Sequence, residues 1–437
     1  MRYTKTMLDI RFIRENPDRV QEAAAQKGYQ VDIEELLRVD ESRRELQQKA
    51  DELRTRRNEI ATQMKGGKPS AELVEEGKRL KVELSEVEDR LHVVDESFIT
   101  MLKAIPNVPL PEVPIGVSEA ENVEIRTWGE RPSFDFPIKN HAEIAEAKGW
   151  LDKERGAKIA GARFVYTMGD LVLLEMALWR FAMDILTNAD VLQSIIDEHG
   201  IKVSARPFTP ILPPAVAKQE VFEATGRLNR QEQTYKIEDE DLWLNASAEH
   251  TIAPIYMDEI LDESQLPIRY VGYTTAFRRE AGTYGKDAEG FFRLHQFNKL
   301  EMECFTTAET SYDEHLFLVA IQEYLMQQLN LPYHVLEKCT ADIGRPNAKG
   351  IDIEVWLPSQ GVYRETHTAD YIGDYQTRAM KTRVRRADGR VELVHTNDAT
   401  AFSQRPLIGI IENNQTESGD VTVPVVLRPY LGGREVL

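Results

Sequence analysis

FRREAGTYGKDAEGFFRLHQFNKLEME, residues 277–303, reads as two strand arms around a glycine-bearing loop. Arg278 and Glu280 stand two apart in the first arm. Arg293, Phe297, Lys299 and Glu301 fall at even spacings in the second, beside Gln296. Side chains two apart in a strand share a face, so the pattern predicts one charged face on each arm. A face crowded with both signs of charge is costly to bury unless its members pair or hold a ligand; otherwise it is a solvent-facing ladder.

Two later segments carry the same mixture inside strand-like apolar sequence. IDIEVWLPSQGVYRETHTADYIGDYQTR, residues 351–378, holds Glu354, Arg364, Glu365, His367, Thr368 and Asp370. Its oxygen donors suit a hard cation such as magnesium, and no Cys or His pairing suggests zinc. His367 alone reads as a hydrogen-bonded structural histidine. NDATAFSQRPLIGIIENNQ, residues 397–415, closes a polar loop with Arg405 ahead of an apolar run. The planar fork of an arginine there suits a phosphate, although a helix-flanking charge looks the same in sequence.

Around these segments, from about residue 130 onward, the chain reads as a mixed domain. Leu171 to Leu186 and His315 to Leu329 have helical apolar spacing, and Ile353 to Leu357 and Leu407 to Ile411 are strand-like. Ahead of it lie Pro106, Pro109, Pro111 and Pro114, a stretch that cannot continue a helix and serves as a linker. Residues from about 40 to 103 read as two long helices. Leu46, Ala50, Leu53, Ile60 and Met64 form one stripe, and Leu80, Leu84, Val87, Leu91, Val94, Phe98 and Leu102 a second. Lys65 to Ser70, with two glycines and a proline, turns the chain between them, giving an antiparallel hairpin. Bases outnumber acids from Arg43 to Lys68, and acids outnumber bases from Ser70 to Ser97. That pattern fits either a salt-bridged, solvated coiled coil or one basic helix that meets a phosphate backbone.

The 437 residues allow two or three domains and a core that needs no staples. No stretch is apolar enough for a membrane span, and MRYTKTMLDIRFIREN has no signal-peptide core. Cys304 and Cys339 are expected to be reduced, mostly buried thiols in a reducing, cytoplasmic setting. A net charge of −19 argues against nucleic-acid binding by the chain as a whole, but a local basic face can hide within that sum.

Taken together, the motifs resemble those of the seryl-tRNA synthetases, a family of class II aminoacyl-tRNA synthetases. FRREAG at 277–282 pairs with HQFNKLE at 295–301; EVWLPSQ (354–360), GDYQTR (373–378) and VPVVLRPYLGG (423–433) come next in order, and MLDIRFIRENPDRV (7–20) with the hairpin opens the chain. The resemblance implies an α+β protein: a tRNA-binding domain over 1–110 with its coiled-coil arm, a linker over 111–130, and a catalytic domain over 131–437 built on an antiparallel sheet flanked by helices. It implies that serine is activated by ATP with magnesium and passed to tRNA(Ser), and to tRNA(Sec), by a homodimer. Arg278 and Arg405 are similar to the catalytic arginines that hold the α- and γ-phosphates. Arg279, Glu280, Leu294, Phe297, Glu365, Thr366, His367 and Thr368 complete the implied ATP site, with Glu365 and Thr368 at the magnesium positions. Ser247, Ala248, Glu249, Arg278, Glu301, Asn397 and Ala399 fall at the serine positions, and Arg54, Arg56 and Arg57 are expected to meet tRNA. Three departures stand out: Ser247 where threonine is usual, Ala399 where a hydroxyl is usual, and Thr366 to Asp370 in place of a serine-rich run. Asp190 to Phe208 reads as a long link before the first-motif proline, Pro213. A paralogue loading another carrier, or an inactive RNA-binding protein, are the rival readings; the arm weighs against the first and the retained Arg278, Glu280, Glu365 and Arg405 against the second.

Overall fold

The computed structural model describes residues 8–65, 70–228, 233–280 and 290–437, and the chain divides into two compact units, Met1–Val108 and Pro109–Leu437. In the first unit, helix α1 (Ile33–Met64) is capped by Asp32, whose side chain accepts from Glu35 N, and α2 (Ala71–Ala104) by Ser70, which accepts from Leu73 N. At 1.5 Å per residue the 32-residue α1 is about 48 Å long. The two pack antiparallel through Leu46, Ala50, Leu84, Val87 and Leu91, as the heptad stripes predict. The turn between them, 66–69, lies outside the described residues. Its flanks are laced by ion pairs from the basic to the acidic helix: Lys49–Glu83 at 3.1 Å, Arg54–Glu88 at 2.7 Å and Arg56–Glu76 at 2.9 Å.

The second unit is organised by an eight-stranded sheet. Its strands are β1 (Val123–Trp128), β2 (Thr209–Ile211), β3 (Ile268–Phe277), β4 (Gln296–Thr306), β5 (Tyr333–Glu337), β6 (Lys349–Leu357), β7 (Val362–Gly373) and β8 (His395–Ser403), in the order β1-β5-β6-β7-β8-β4-β3-β2. Every pair is antiparallel except β2 with β3, which run parallel, so the sheet is mixed at one edge. Val123–Trp128 falls within 111–130, expected as linker, yet it pairs with β5 as the edge strand, and Trp128 stacks on Tyr333 with ring centroids 5.7 Å apart.

The helices of this unit include α3 (Asp170–Leu186), α4 (Ala189–His199), α5 (Glu249–Ile252), α6 (Ser311–Gln328) and α7 (Arg405–Asn413). Leu174 and Leu178 of α3, Leu318 and Ile321 of α6 and Ile408 of α7 join Ile353, Met302 and Val271 of the sheet in one apolar core. The expected link at 190–208 contains α4, which starts at the Asn188 cap, ends at Gly200 in the left-handed conformation, and buries Leu192, Ile195 and Ile196. Leu407 to Ile411, expected as a strand, is helical. A five-residue apolar run does not distinguish the two by itself. Here Pro406 occupies the first turn, where its missing N–H is harmless, and Leu407, Ile408, Ile410 and Ile411 are all buried. Gly409 lets the helix lie close to β6, since a Cβ there would stand 2.9 Å from Val355 Cγ2.

The sheet's regular alternation is interrupted where the register slips, among other places, between Thr400 and Phe402 of β8 and between Ile353 and Glu354 of β6 opposite β7. Carbonyls released from a ladder need other donors when buried. Gln322, fully buried on α6, donates to Thr368 O at 2.9 Å and Thr400 O at 2.8 Å, and His367 Nε2 donates to Ala401 O at 3.0 Å. Gln322→Leu keeps most of the bulk and removes both donors. It should lower stability by about 1–3 kcal/mol per stranded acceptor in urea denaturation; a loss below about 0.5 kcal/mol would show that the carbonyls find other partners.

Candidate active site

The pleat fixes which side chains can meet. Phe297, Lys299 and Glu301 of β4, Thr366, Thr368 and Asp370 of β7, and Asp398 and Thr400 of β8 face a cavity of about 290 Å³. The intervening Met302, Ala369, Ala399 and Ala401 point into the apolar core. Arg278, Glu280, Leu294, Glu365, Arg405, Ser247 and Glu249 complete the expected residues that reach this cavity. The expected sharing of strand faces does not hold for three of them: β3 ends at Phe277 and β4 begins at Gln296, so Arg278, Glu280 and Arg293 lie beyond the ladder. Glu280 has φ +49°, and Arg293 Nη1 donates to its carboxylate at 2.7 Å, so both arms turn their charges into one cavity. The loop 281–289 lies outside the described residues.

Five expected residues are elsewhere. Arg279 lays its guanidinium 5.6 Å from the Tyr235 ring centre. Ala248 is fully buried and does not line the cavity. Asn397 is turned to Ser311, donating to its carbonyl at 2.9 Å. His367 points into the layer between sheet and helices, beside Phe402, and burial drops its pKa to about 3, so the ring stays neutral. Ala399 sits against the core opposite Met302. The hydroxyl expected at that position is therefore present one residue on: Thr400 faces Glu301 in the β4–β8 register. The β8 slip shifts the alternation by one, which is why position 399 faces away from the pocket.

The charged groups hold one another in place. Arg405 Nη1 donates to Glu365 O at 2.9 Å and pairs with the Glu365 carboxylate at 2.9 Å. Burial opposes charge on Glu365, but Arg405, Lys338 and Arg278 outweigh it and hold the pKa at about 2. Phe292 lies between two arginines, 4.2 Å from Arg364 and 4.8 Å from Arg405. Arg278 sits over Phe297 at 5.1 Å, and burial pulls its pKa below the usual arginine value. Glu249 Oε1 accepts from Arg227 Nε at 2.8 Å, Arg227 Nη2 at 2.7 Å and Gln376 Nε2 at 2.8 Å, and no described residue bonds its Oε2. Glu301 has the same asymmetry: Oε2 takes Lys299 and the Ser247 hydroxyl, whereas the buried Oε1 has no partner among the described residues. Burial raises the Glu301 pKa, and Lys299 works against that rise.

Sequence reasoning did not single out Arg227, His250, Phe292, Lys338 or Asp398, which also line the cavity. Arg227 and Lys338 lie outside the three charged segments, and Asp398 is legible only once the strand's facing is known. His250 is no general base: burial lowers its pKa to about 3, and its Nδ1 accepts from Ala246 N at 3.2 Å. Among the described residues no group of three or more His, Cys, Asp or Glu side chains is arranged to hold a metal. Glu365 and Thr368 both line the cavity and carry oxygens of the kind a hard cation takes; the Glu365 carboxylate is paired with Arg405 at 2.9 Å and the Thr368 hydroxyl donates to Asp352 at 2.6 Å. Of the expected arm residues, Arg54 and Arg56 are tied into ion pairs within the hairpin; Arg57 is exposed and forms no ion pair among the described residues.

A helix-backed antiparallel sheet presenting paired arginines and glutamates is the core of a class II aminoacyl-tRNA synthetase. Residues 232–414 match the family model for the tRNA synthetase class II core domain (G, H, P, S and T), and residues 7–109 that for the seryl-tRNA synthetase N-terminal domain. The chain is 40% identical to the serine–tRNA ligase of Methanocella arvoryzae over 99% of this chain and 100% of that one, and 39% identical to that of Deinococcus radiodurans over 99% of both. The crystal structure of seryl-tRNA synthetase from Pyrococcus horikoshii complexed with ATP superposes with a TM-score of 0.87 at 34% identity, covering 98% of this chain and 99% of that one. The chain belongs to the seryl-tRNA synthetase family and is a serine–tRNA ligase. No described helix is long and apolar enough to cross a membrane.

The two facings of β8 predict opposite results for neighbouring residues. Thr400→Val should raise the serine KM by up to about tenfold, the worth of one neutral hydrogen bond, whereas Ala399→Ser should leave it unchanged. Steady-state pyrophosphate exchange at varied serine checks both; a serine KM lowered by Ala399→Ser would return that residue to the pocket.

Proposed function

We propose that the cavity activates serine with ATP and that the same chain then transfers the seryl group to the 3′ end of tRNA(Ser), and of tRNA(Sec). The reading rests above all on Glu249 and Glu301. Each is a buried carboxylate of the cavity wall with one oxygen held by protein cations and the other bonded by no described residue. A small amino acid carrying an ammonium and a hydroxyl meets both demands, Glu249 taking the ammonium and Glu301 the hydroxyl. Alanine would leave Glu301 unanswered, which is the physical basis of its rejection.

In the first step an oxygen of the serine carboxylate attacks the α-phosphorus of ATP. The bond to pyrophosphate breaks, giving seryl-adenylate. In the second, a ribose hydroxyl of the terminal tRNA adenosine attacks the acyl carbon and AMP departs. Arg278 holds the α-phosphate and serine carboxylate together, and Arg405 the γ-phosphate; such fixed donors lower the barrier by meeting charge as it develops. Phe297 and Glu280 receive the adenine. Magnesium held by Glu365 and Thr368 would supply further positive charge against the phosphates. The part of α1 from Arg43 onward, where bases outnumber acids, meets the tRNA backbone, where phosphates compete with the weak, exposed pairs of Arg54 and Arg56. Leu173 and Met176 of α3, and Leu212 next to the expected first-motif proline, are exposed apolar groups, and they support a homodimer.

Arg278→Ala and Arg405→Ala should each cut serine-dependent pyrophosphate exchange by about two to three orders of magnitude, with circular dichroism unchanged. Near-normal exchange in either would remove that arginine from the chemistry. Glu301→Ala should narrow the preference for serine over alanine, and an undiminished preference would place serine recognition elsewhere. Deleting the hairpin between residues 40 and 103 should abolish tRNA charging while exchange persists; equal loss of both activities would sink the assignment of the arm.

A further inference from the structure

One pleat step beyond Glu301 and Thr400, three neighbouring strands carry acids side by side. Asp370 of β7 is paired in register with Asp398 of β8, and Asp398 with Glu303 of β4. All three are at least nine-tenths buried, and Glu303 is 0% exposed. Like charges directly opposite one another in a sheet destabilise it, and burial sharpens the cost. Both carboxyl oxygens of Glu303 and Oδ1 of Asp370 lack hydrogen-bond partners among the described residues. Burial and mutual repulsion push Asp398 and Glu303 well above the usual carboxylate range. The cation facing this row is Arg227. Its Nη2 lies 3.4 Å from Asp398 Oδ1 and 2.7 Å from Glu249 Oε1. Lys338, on the Asp370 side, is already engaged with Asp352 at 3.4 Å and Asp342 at 3.5 Å.

We propose that Arg227 is a specificity-determining residue of the amino-acid subsite, its guanidinium being the built-in cation that turns Glu249 Oε2 toward the substrate ammonium and bars side chains carrying an ammonium of their own from the acidic row. The inference rests on the assignment of Glu249 to the serine ammonium and Glu301 to its hydroxyl. Its chemical content is an exclusion. Without Arg227 the subsite ends in Asp398 and Glu301, with Glu303 buried behind them, and the ligand class that fits is a short diamino acid, whose second ammonium replaces the lost guanidinium. With Arg227 in place, that second ammonium meets a like charge in a poorly solvated space, and serine, neutral at its side chain, is favoured.

The test uses the full chain in pyrophosphate exchange with serine, 2,3-diaminopropionate and 2,4-diaminobutyrate. Arg227→Gln should raise the serine KM by at least about tenfold, the cost of removing charged hydrogen bonds from Glu249, with the ATP KM within about twofold of the parent. The same variant should gain at least about tenfold in kcat/KM for one of the diamino acids. Arg227→Lys, which keeps the cation, should retain discrimination against both. The combined Arg227→Gln and Asp398→Asn variant should lose the diamino gain but keep the raised serine KM; it also removes one charge of each sign, so it carries the test if the single variant does not fold. An unchanged serine KM in folded Arg227→Gln or in the folded double variant, or a raised KM with no diamino gain in folded Arg227→Gln, overturns the proposal. Glu249→Gln separates the two levels. If it leaves the serine KM unchanged, the underlying assignment of Glu249 fails; if it raises the KM while Arg227→Gln does not, only the role of Arg227 fails.

Discussion

The amide of Gln322 is small beside the sheet it supports, yet the active-site geometry depends on it. A β-bulge releases backbone carbonyls from the ladder, and a released carbonyl in an apolar core needs a donor. Gln322 reaches across from α6 to Thr368 O on β7 and Thr400 O on β8, and His367 supplies Ala401 O. With those acceptors satisfied, the slip in β8 is stable, and the slip decides that Asp398 and Thr400 face the cavity while Asn397 and Ala399 do not. The small side chains of Ala369, Ala399 and Ala401 on the other face let α6 come near enough for Gln322 to bridge the two strands.

The cavity is built from charges that have already been desolvated. Glu365 with Arg405, Glu280 with Arg293, Glu249 with Arg227 and Glu301 with Lys299 form four ion pairs around one space. Buried pairs of this kind are poor sources of stability, because desolvation offsets most of their attraction. Their value lies in orientation. Each group is fixed before a substrate arrives, so little reorganisation is left for the reaction itself. Asymmetric use of the carboxylates obeys the same logic: in Glu249, one oxygen saturated by three donors leaves the other at a defined place and angle.

Much of this architecture is legible in the order of residues alone. The 3.5-residue stripes mark both arm helices, and the mixed-charge strands mark Arg278, Glu280, Phe297, Glu301, Glu365, Thr368 and Arg405, all of which line the cavity. What escapes has physical causes. Leu407 to Ile411 is apolar at four of its five positions with a glycine between, and such a run fits a buried strand or a buried helix equally. Val123 to Trp128 alternates apolar and polar residues only from Val123 to Arg126, and as an edge strand exposed at every position but Trp128 it has no buried face to mark it. Ala399 is expected to face the pocket, yet Thr400 lines it instead, because a bulge breaks the count of two per pleat and leaves no reliable mark in sequence. Arg227 and Lys338 come from connecting segments that are distant in the chain and meet the cavity only through tertiary folding.

Cys304 lies in β4, between Glu303 and Phe305, with no exposed surface and its thiol hydrogen-bonded to Glu314 at 3.3 Å. Glu314 is itself locked by Arg269, whose Nε and Nη2 grip its carboxylate at 2.9 and 2.8 Å. Burial and the adjacent carboxylate raise the thiol well above its usual pKa, so the nucleophilic thiolate is scarce while the sheet is closed. Cys339 is equally inaccessible, in a different part of the same unit. The enzyme thus carries two silent reporters of its own catalytic unit. An alkylating or disulfide reagent meets them only when the surrounding structure opens, and the rates at which the two react record whether the sheet centre and the Cys339 loop open together or apart.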